Sequence, residues 1–241
     1  MQKLVSFVLA VMLAFGMVGC SGGDGGGAND SPPAESQQTS APDENSNVPE
    51  ESQENTPTTL EDEQSTEPFF TASGSGDDVI TGLSPEYVSF LKVNHAGSGH
   101  FAVKAHYGNG NDYDLLINTA EPYNGGRTLI FANRDYTLEI TAKGDWSVDA
   151  YSLGASSTDS FSDSGDVVTQ IFIPSSNVYE ITAPGGGHFA VKGWSVTKGR
   201  YDLLVNTTDD YSGTVMFNHP GELCFFEITG ERDFTITPRA Q

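Results

Sequence analysis

Residues 186–207 read GGHFAVKGWSVTKGRYDLLVNT, and residues 98–119 read SGHFAVKAHYGNGNDYDLLINT. HFAVK and YDLL(I/V)NT are therefore written twice, 88 positions apart, from His100 to His188. The register extends outward from this stretch. Val79 falls opposite Val167, Leu83 opposite Ile171 and Tyr123 opposite Tyr211; Glu139-Ile140-Thr141 falls opposite Glu227-Ile228-Thr229, and Asp145-Trp146-Ser147-Val148 opposite Asp233-Phe234-Thr235-Ile236. One structural unit of about 80 residues occurs in tandem, joined by a Ser, Asp and Gly-rich link near residues 154–165.

Each unit alternates with the period of a strand. Phe101 and Val103 oppose His100, Ala102 and Lys104; Tyr113, Leu115 and Ile117 oppose Asp114, Leu116 and Asn118; Tyr136, Leu138 and Ile140 oppose Thr137, Glu139 and Thr141. The runs are short and rich in Val, Ile, Thr, Phe and Tyr, and turn clusters such as GNGND, EPYNGG and APGGG separate them. The expected fold is all-β: two tandem antiparallel β-sandwiches, jelly-roll-like, over residues 69–154 and 155–241. On this alternation the Phe, Val, Tyr and Leu of the duplicated motifs build the core. Trp146 and Phe234, at equivalent positions, are expected inside as well.

The N-terminus differs in kind. Lys3 precedes an apolar run from Leu4 to Val18, of the length of a secretory signal and short for a membrane span. It ends in Met17-Val18-Gly19-Cys20, which resembles the lipobox of bacterial lipoproteins, with Met17 in place of the usual Leu, Val or Ile. The resemblance implies a signal peptide over residues 1–19 and acylation of Cys20, an anchor to a membrane on the extracytoplasmic side of a bacterial envelope. Residues 21–68 carry twelve acids, no Lys or Arg and almost nothing apolar, so they are expected to form a disordered tether. Residues 69–241 keep a net charge of −11, which argues against nucleic acid as a partner. With Cys20 acylated, Cys224 has no partner and reads as a small buried hydrophobe.

The segment GSGHFAVKAHYGNGNDYDLLINTAEPYNGG, followed by YTLEITAKGDWSV, is similar to modules recurring in bacterial surface lipoproteins. More distantly it resembles the bacterial pre-peptidase C-terminal domains, β-sandwiches appended to secreted enzymes as accessory or binding modules. The resemblance implies a sandwich and a non-catalytic role, and brings no catalytic residue with it.

No Ser-His-Asp spacing or nucleophile-elbow turn appears, so an enzyme is not expected. His95, His100 and His106 lie close together, but their counterparts are Ala183, His188 and Trp194, so at most one copy offers three nitrogens to zinc. Asn109, Asn111, Asp112 and Asp114 form an oxygen-rich loop, a calcium candidate whose alternative is an Asx-rich turn; no other cofactor is expected. The outward face of the HFAVK strand is the candidate ligand face: His188, Lys192 and Trp194 in the second unit, and His100, Lys104 and His106 with Tyr107 adjacent in the first. Aromatic rings and cations there suit an extracellular glycan, a cell-wall polymer or a partner protein. The competing reading has Trp194 covering the contact between the units, and the competing function is a spacer that binds nothing.

Overall fold

The structure, a computed structural model, describes residues 67–129 and 132–240. The expected signal peptide, Cys20 and all of the acidic tether but its last two residues lie outside the described residues. Among the described residues every regular element is a strand, and no helix is long and apolar enough to cross a membrane. The first sandwich comprises β1 (Phe70–Ser75), β2 (Asp78–Leu83), β3 (Ser89–His95), β4 (Phe101–Tyr107), β5 (Asp112–Thr119), β6 (Tyr123–Leu129), β7 (Tyr136–Thr141) and β8 (Asp145–Ser152). The second comprises β9 (Phe161–Ser164), β10 (Val167–Val168), β11 (Val178–Ala183), β12 (Phe189–Ser195), β13 (Arg200–Thr207), β14 (Tyr211–Met216), β15 (Cys224–Gly230) and β16 (Asp233–Pro238).

Strand order is β1-β8-β3-β6 and β2-β7-β4-β5 in the first sandwich. In the second it is β9-β16-β11-β14 and β10-β15-β12-β13, the same order advanced by eight. Pairing first with last and inward to the fourth with the fifth, all antiparallel, is a ribbon of strand pairs wrapped into a jelly roll. The alternation of HFAVK follows from this placement. Phe101 and Val103, like Phe189 and Val191, are fully buried between the sheets. Trp146 and Phe234 are buried too, and Trp146 Nε1 donates to the Gly76 carbonyl at 2.9 Å.

The repeat is offset by one residue at its N-terminal end. Val79 pairs with Glu139 and Val168 with Glu227, so Val79 corresponds to Val168, not to Val167. Leu83 pairs with Tyr136 and Phe172 bridges to Cys224, so Leu83 corresponds to Phe172, not to Ile171. Both Leu83 and Phe172 are buried. The cause is a loop one residue shorter before β11 than before β3, since Leu91 and Tyr179, which pair with Arg127 and Val215, return to the 88-residue offset. A sequence register carried across a loop cannot detect such a change.

The sandwiches pack edge to face. β6, at the edge of its sheet, lies on β10, and the Gly126 N–H donates to the Asp166 carbonyl at 2.8 Å. A Cβ at Gly125 would stand 2.6 Å from that of Asp166, so only glycine permits the approach. Arg127 Nη2 pairs with Asp166 Oδ2 at 2.5 Å with both side chains nearly buried, while Arg127 Nε donates to the Leu116 carbonyl at 2.8 Å. Beside this pair Leu153, Trp194 and Phe225 form a separate apolar cluster, flanked by Phe90 and Val168. Removing one partner of a buried ion pair strands the other charge. Arg127→Ala is therefore expected to cost about 3–5 kcal/mol and to uncouple the two sandwiches in urea unfolding; an unchanged midpoint would count against the pair as their joint.

Candidate functional site

The YDLL motif does not alternate as its sequence implies. Val103 faces Ile117, but Lys104 faces Leu115, which leaves Leu116 as the extra residue of a β-bulge. The same slip separates Val191–Val205 from Lys192–Leu203 in the second sandwich. Beyond the bulge the faces exchange. Tyr113 and Leu115, expected in the core with Ile117, are 51% and 52% exposed on the outer face, and Tyr201 and Leu203 are exposed likewise. Only Ile117 and Val205 of these runs are buried.

The exchange assembles one constellation twice. On the first sandwich Lys104 Nζ donates to Glu139 Oε1 at 2.8 Å and His106 Nε2 meets Glu139 Oε2 at 2.9 Å. Lys104 also stands 5.6 Å from the centre of the Tyr113 ring, within cation–π range, and the rings of His106 and Tyr113 lie 5.3 Å apart. On the second sandwich Lys192 reaches Glu227 at 3.1 Å and stands 5.3 Å from the Tyr201 ring. Trp194 Nε1 takes the place of the histidine, 3.3 Å from Glu227 Oε2. The lysine hydrogen bond leads in lowering the Glu139 carboxyl below its ordinary value and in raising the Lys104 ammonium.

The two copies differ in access. Trp194 shares the outer face with Lys192 but is only 4% exposed, since the first sandwich covers it, and it stacks on Phe225 at 5.9 Å. It offers no surface to a ligand, and interface cover is the reading its burial fits. Tyr107 points inward with Phe101 and Val103, packs against the core 6.1 Å from the ring of Tyr136, and its phenol is raised by burial; it leaves the candidate face. His100 and His188 precede their strands, exposed, and bridge to Asn118 at 2.9 Å and Asn206 at 3.2 Å. These bridges account for the repeated histidine and asparagine as clips between neighbouring strands.

The three histidines weighed for zinc go to three places. His95 is buried against Phe101, ring centres 4.2 Å apart, His100 clips a strand end, and His106 lies on the outer face. Among the described residues no group of three or more His, Cys, Asp or Glu side chains is placed to hold a metal. In the calcium candidate the Asn109 oxygen accepts the Asn111 N–H at 3.1 Å, an Asx turn. Asn109, Asn111 and Asp112 are exposed, whereas burial raises the Asp114 carboxyl and Lys192 of the second sandwich opposes the rise. Asp114 thus faces the neighbouring sandwich, apart from the turn. Cys224 is fully buried, and desolvation pushes its thiol up to about 12.

A polar cluster absent from the sequence reading lies at one end of the second sandwich. His219 Nε2 meets Asp202 Oδ2 at 2.8 Å and Nδ1 meets Glu222 Oε2 at 3.0 Å. Ser195 Oγ donates to Glu222 at 2.5 Å, not to the imidazole, and Ser195 is fully buried, so the serine is not activated as a nucleophile. No spacing rule joins residues 195, 202, 219 and 222; the turn after β14 brings them together. Lys198, then Ser195 and His219, hold the Glu222 carboxyl down to about 2 from an ordinary 4.5. A folded value below the unfolded one stabilises fully above about pH 4.5 and is lost as pH falls toward 2. Glu222→Gln is expected to flatten the dependence of the unfolding midpoint across that window; an unaltered slope would refute the assignment.

No protein-family model matches this sequence, and a search of curated proteins finds no match.

Proposed function

We propose that this chain is a non-catalytic binding protein of a bacterial cell envelope, lipid-anchored through Cys20 and displaying two β-sandwiches on an acidic tether. Its ligand face is the outer surface of the sheet β2-β7-β4-β5. The observation that carries this reading is the exposed pair Tyr113 and Leu115, set beside Lys104 and His106 by a bulge that the second sandwich repeats. A fold that needed these side chains only for its core would have no use for turning them outward twice. Val79, 60% exposed, extends the apolar part of the face across Glu139. The ligand class is an extracellular glycan, a cell-wall polymer or a partner protein. A spacer is the second reading, favoured by the buried pair Arg127–Asp166, which suits a fixed arrangement of two sandwiches.

The test is a binding screen of the full chain against glycans, cell-wall polymers and envelope proteins. A saturable ligand is expected, and Tyr113→Ala should weaken it about tenfold, the loss of roughly 1.4 kcal/mol. Trp194→Ala, which unseats the sandwiches without touching the face, serves as the contrast. No saturable ligand in the screen would leave the spacer.

A further inference from the structure

The chain carries its own example of what this sheet face can hold. In the second sandwich the β10 side of the face is occupied: β6 of the first sandwich lies on it, its glycines close against Asp166 and Val168 and its Arg127 paired with Asp166, while Tyr201 and Leu203 stay exposed on the β13 side. The turn that presents Asp166 recurs in the first sandwich. Gly76 and Gly165 both hold positive φ, at 79° and 80°, and their N–H groups donate to Gly144 and Arg232 carbonyls at equivalent positions. Asp166 Oδ1 accepts the Gly230 N–H at 2.7 Å, and Asp77 Oδ1 accepts the Ala142 N–H at 2.9 Å. Asp77 is thus built into the fold as Asp166 is, with one carboxylate oxygen bound to backbone. The other oxygen of Asp166 receives Arg127; Asp77 has no ion-pair partner among the described residues and is exposed. Val79, Glu139 and Lys104 repeat Val168, Glu227 and Lys192 around it.

Resting on the binding reading above, we propose that the outer face of β2 and β7 accepts the edge strand of another β-sandwich, one that carries arginine directly after glycine as β6 does. The arginine would pair with Asp77, and the glycines would let the strand backbone approach Val79. Asp78 is exposed beside Asp77 and adds negative charge at this edge of the sheet, which suits a cationic strand, whereas Glu139 is already paired with Lys104. Among the described residues a second copy of this chain does not supply such a strand. Its β6 is already covered, its β14 has Thr214 and Val215 where β6 has Gly126 and Arg127, and its edge strand β13 opens on Arg200 after a single glycine, Gly199, with Lys198 in place of the other and no glycine within the strand. The partner is therefore a different protein. Thr137 and His106 stand where the second sandwich has Phe225 and Trp194, so this contact is more polar and more reversible than the internal one.

The test makes β14 resemble β6. A donor chain carries Thr214→Gly and Val215→Arg, together with Asp77→Asn so that its own face cannot accept; asparagine keeps the bond to the Ala142 N–H. Mixed with the unmodified chain, it should yield a species of nearly doubled mass by sedimentation velocity, with slowed amide exchange in β2 and β7 of the acceptor. Asp77→Asn in the acceptor should abolish that species. A folded donor that leaves the mixture monomeric overturns the proposal. Should the donor not fold, the peptide YNGGRTL is titrated into isotope-labelled unmodified chain. Shifts at Asp77, Val79 and Glu139 that vanish when the peptide arginine becomes alanine support the proposal, and their absence overturns it. If both probes are silent while a ligand from the screen depends on Tyr113, the strand-acceptor inference fails and the binding reading stands; silence in all three removes both.

Discussion

The carboxylate of Asp166 joins the two halves of this molecule. One oxygen closes its own turn on the Gly230 N–H and the other receives Arg127 from the neighbouring sandwich. Taking both charges out of water is costly, and the attraction offsets that cost only because the remaining hydrogen-bonding capacity is used. The guanidinium meets it by donating also to the carbonyls of Leu116 and Gly126. Around this polar centre Gly125 and Gly126 remove the bulk that would hold the strands apart, and Trp194 and Phe225 close the apolar side. The joint covers Trp194, Phe225 and the β10 side of the second sandwich's outer face, leaving Tyr201 and Leu203 exposed, and in the first sandwich Val79 at the corresponding side is exposed as well.

Duplication has kept the scaffold while exchanging solutions at individual sites. At the end of the first core His95 lies on Phe101 and bonds the Lys143 carbonyl, with Gly144 beside it. The second core has Ala183 and Arg232 at those positions. There the guanidinium covers Phe189 and gathers the carbonyls of Ala183, Gly185, Gly187 and Asp209, fixing the glycine-rich turn before β12. The same phenylalanine is capped by an imidazole from β3 in one copy and by a guanidinium from the turn between β15 and β16 in the other.

Much of the architecture was legible because its determinants are periodic. Phe101, Val103, Leu138 and Ile140 alternate in sequence and in burial, and two copies in tandem predict two sandwiches. What escaped the sequence came from single-residue irregularities and from contacts between distant segments. The bulge at Leu116 is one residue in a run of apolar side chains, and no alternation rule tells whether Tyr113 or Asp114 turns inward. Trp194 shares a face with Lys192 as its position predicts, yet its burial depends on a surface that the first sandwich supplies. The ring of Ser195, Asp202, His219 and Glu222 closes across a turn, so no local pattern marks it.

The bulge has a second role beyond the face it exposes. As the extra residue, Leu116 is skipped by the strand register, and its carbonyl is the acceptor for Arg127 Nε. One insertion in β5 thus sets both which side chains meet solvent and how the arginine at the joint is aimed. In the second sandwich the equivalent Leu204 has no such arginine to orient, because Val215 stands in its place. The constraint at Leu116 is on chain length more than on side-chain identity: another residue there keeps the carbonyl and the register, whereas a deletion turns the outer strip inward and withdraws the joint's support in a single step.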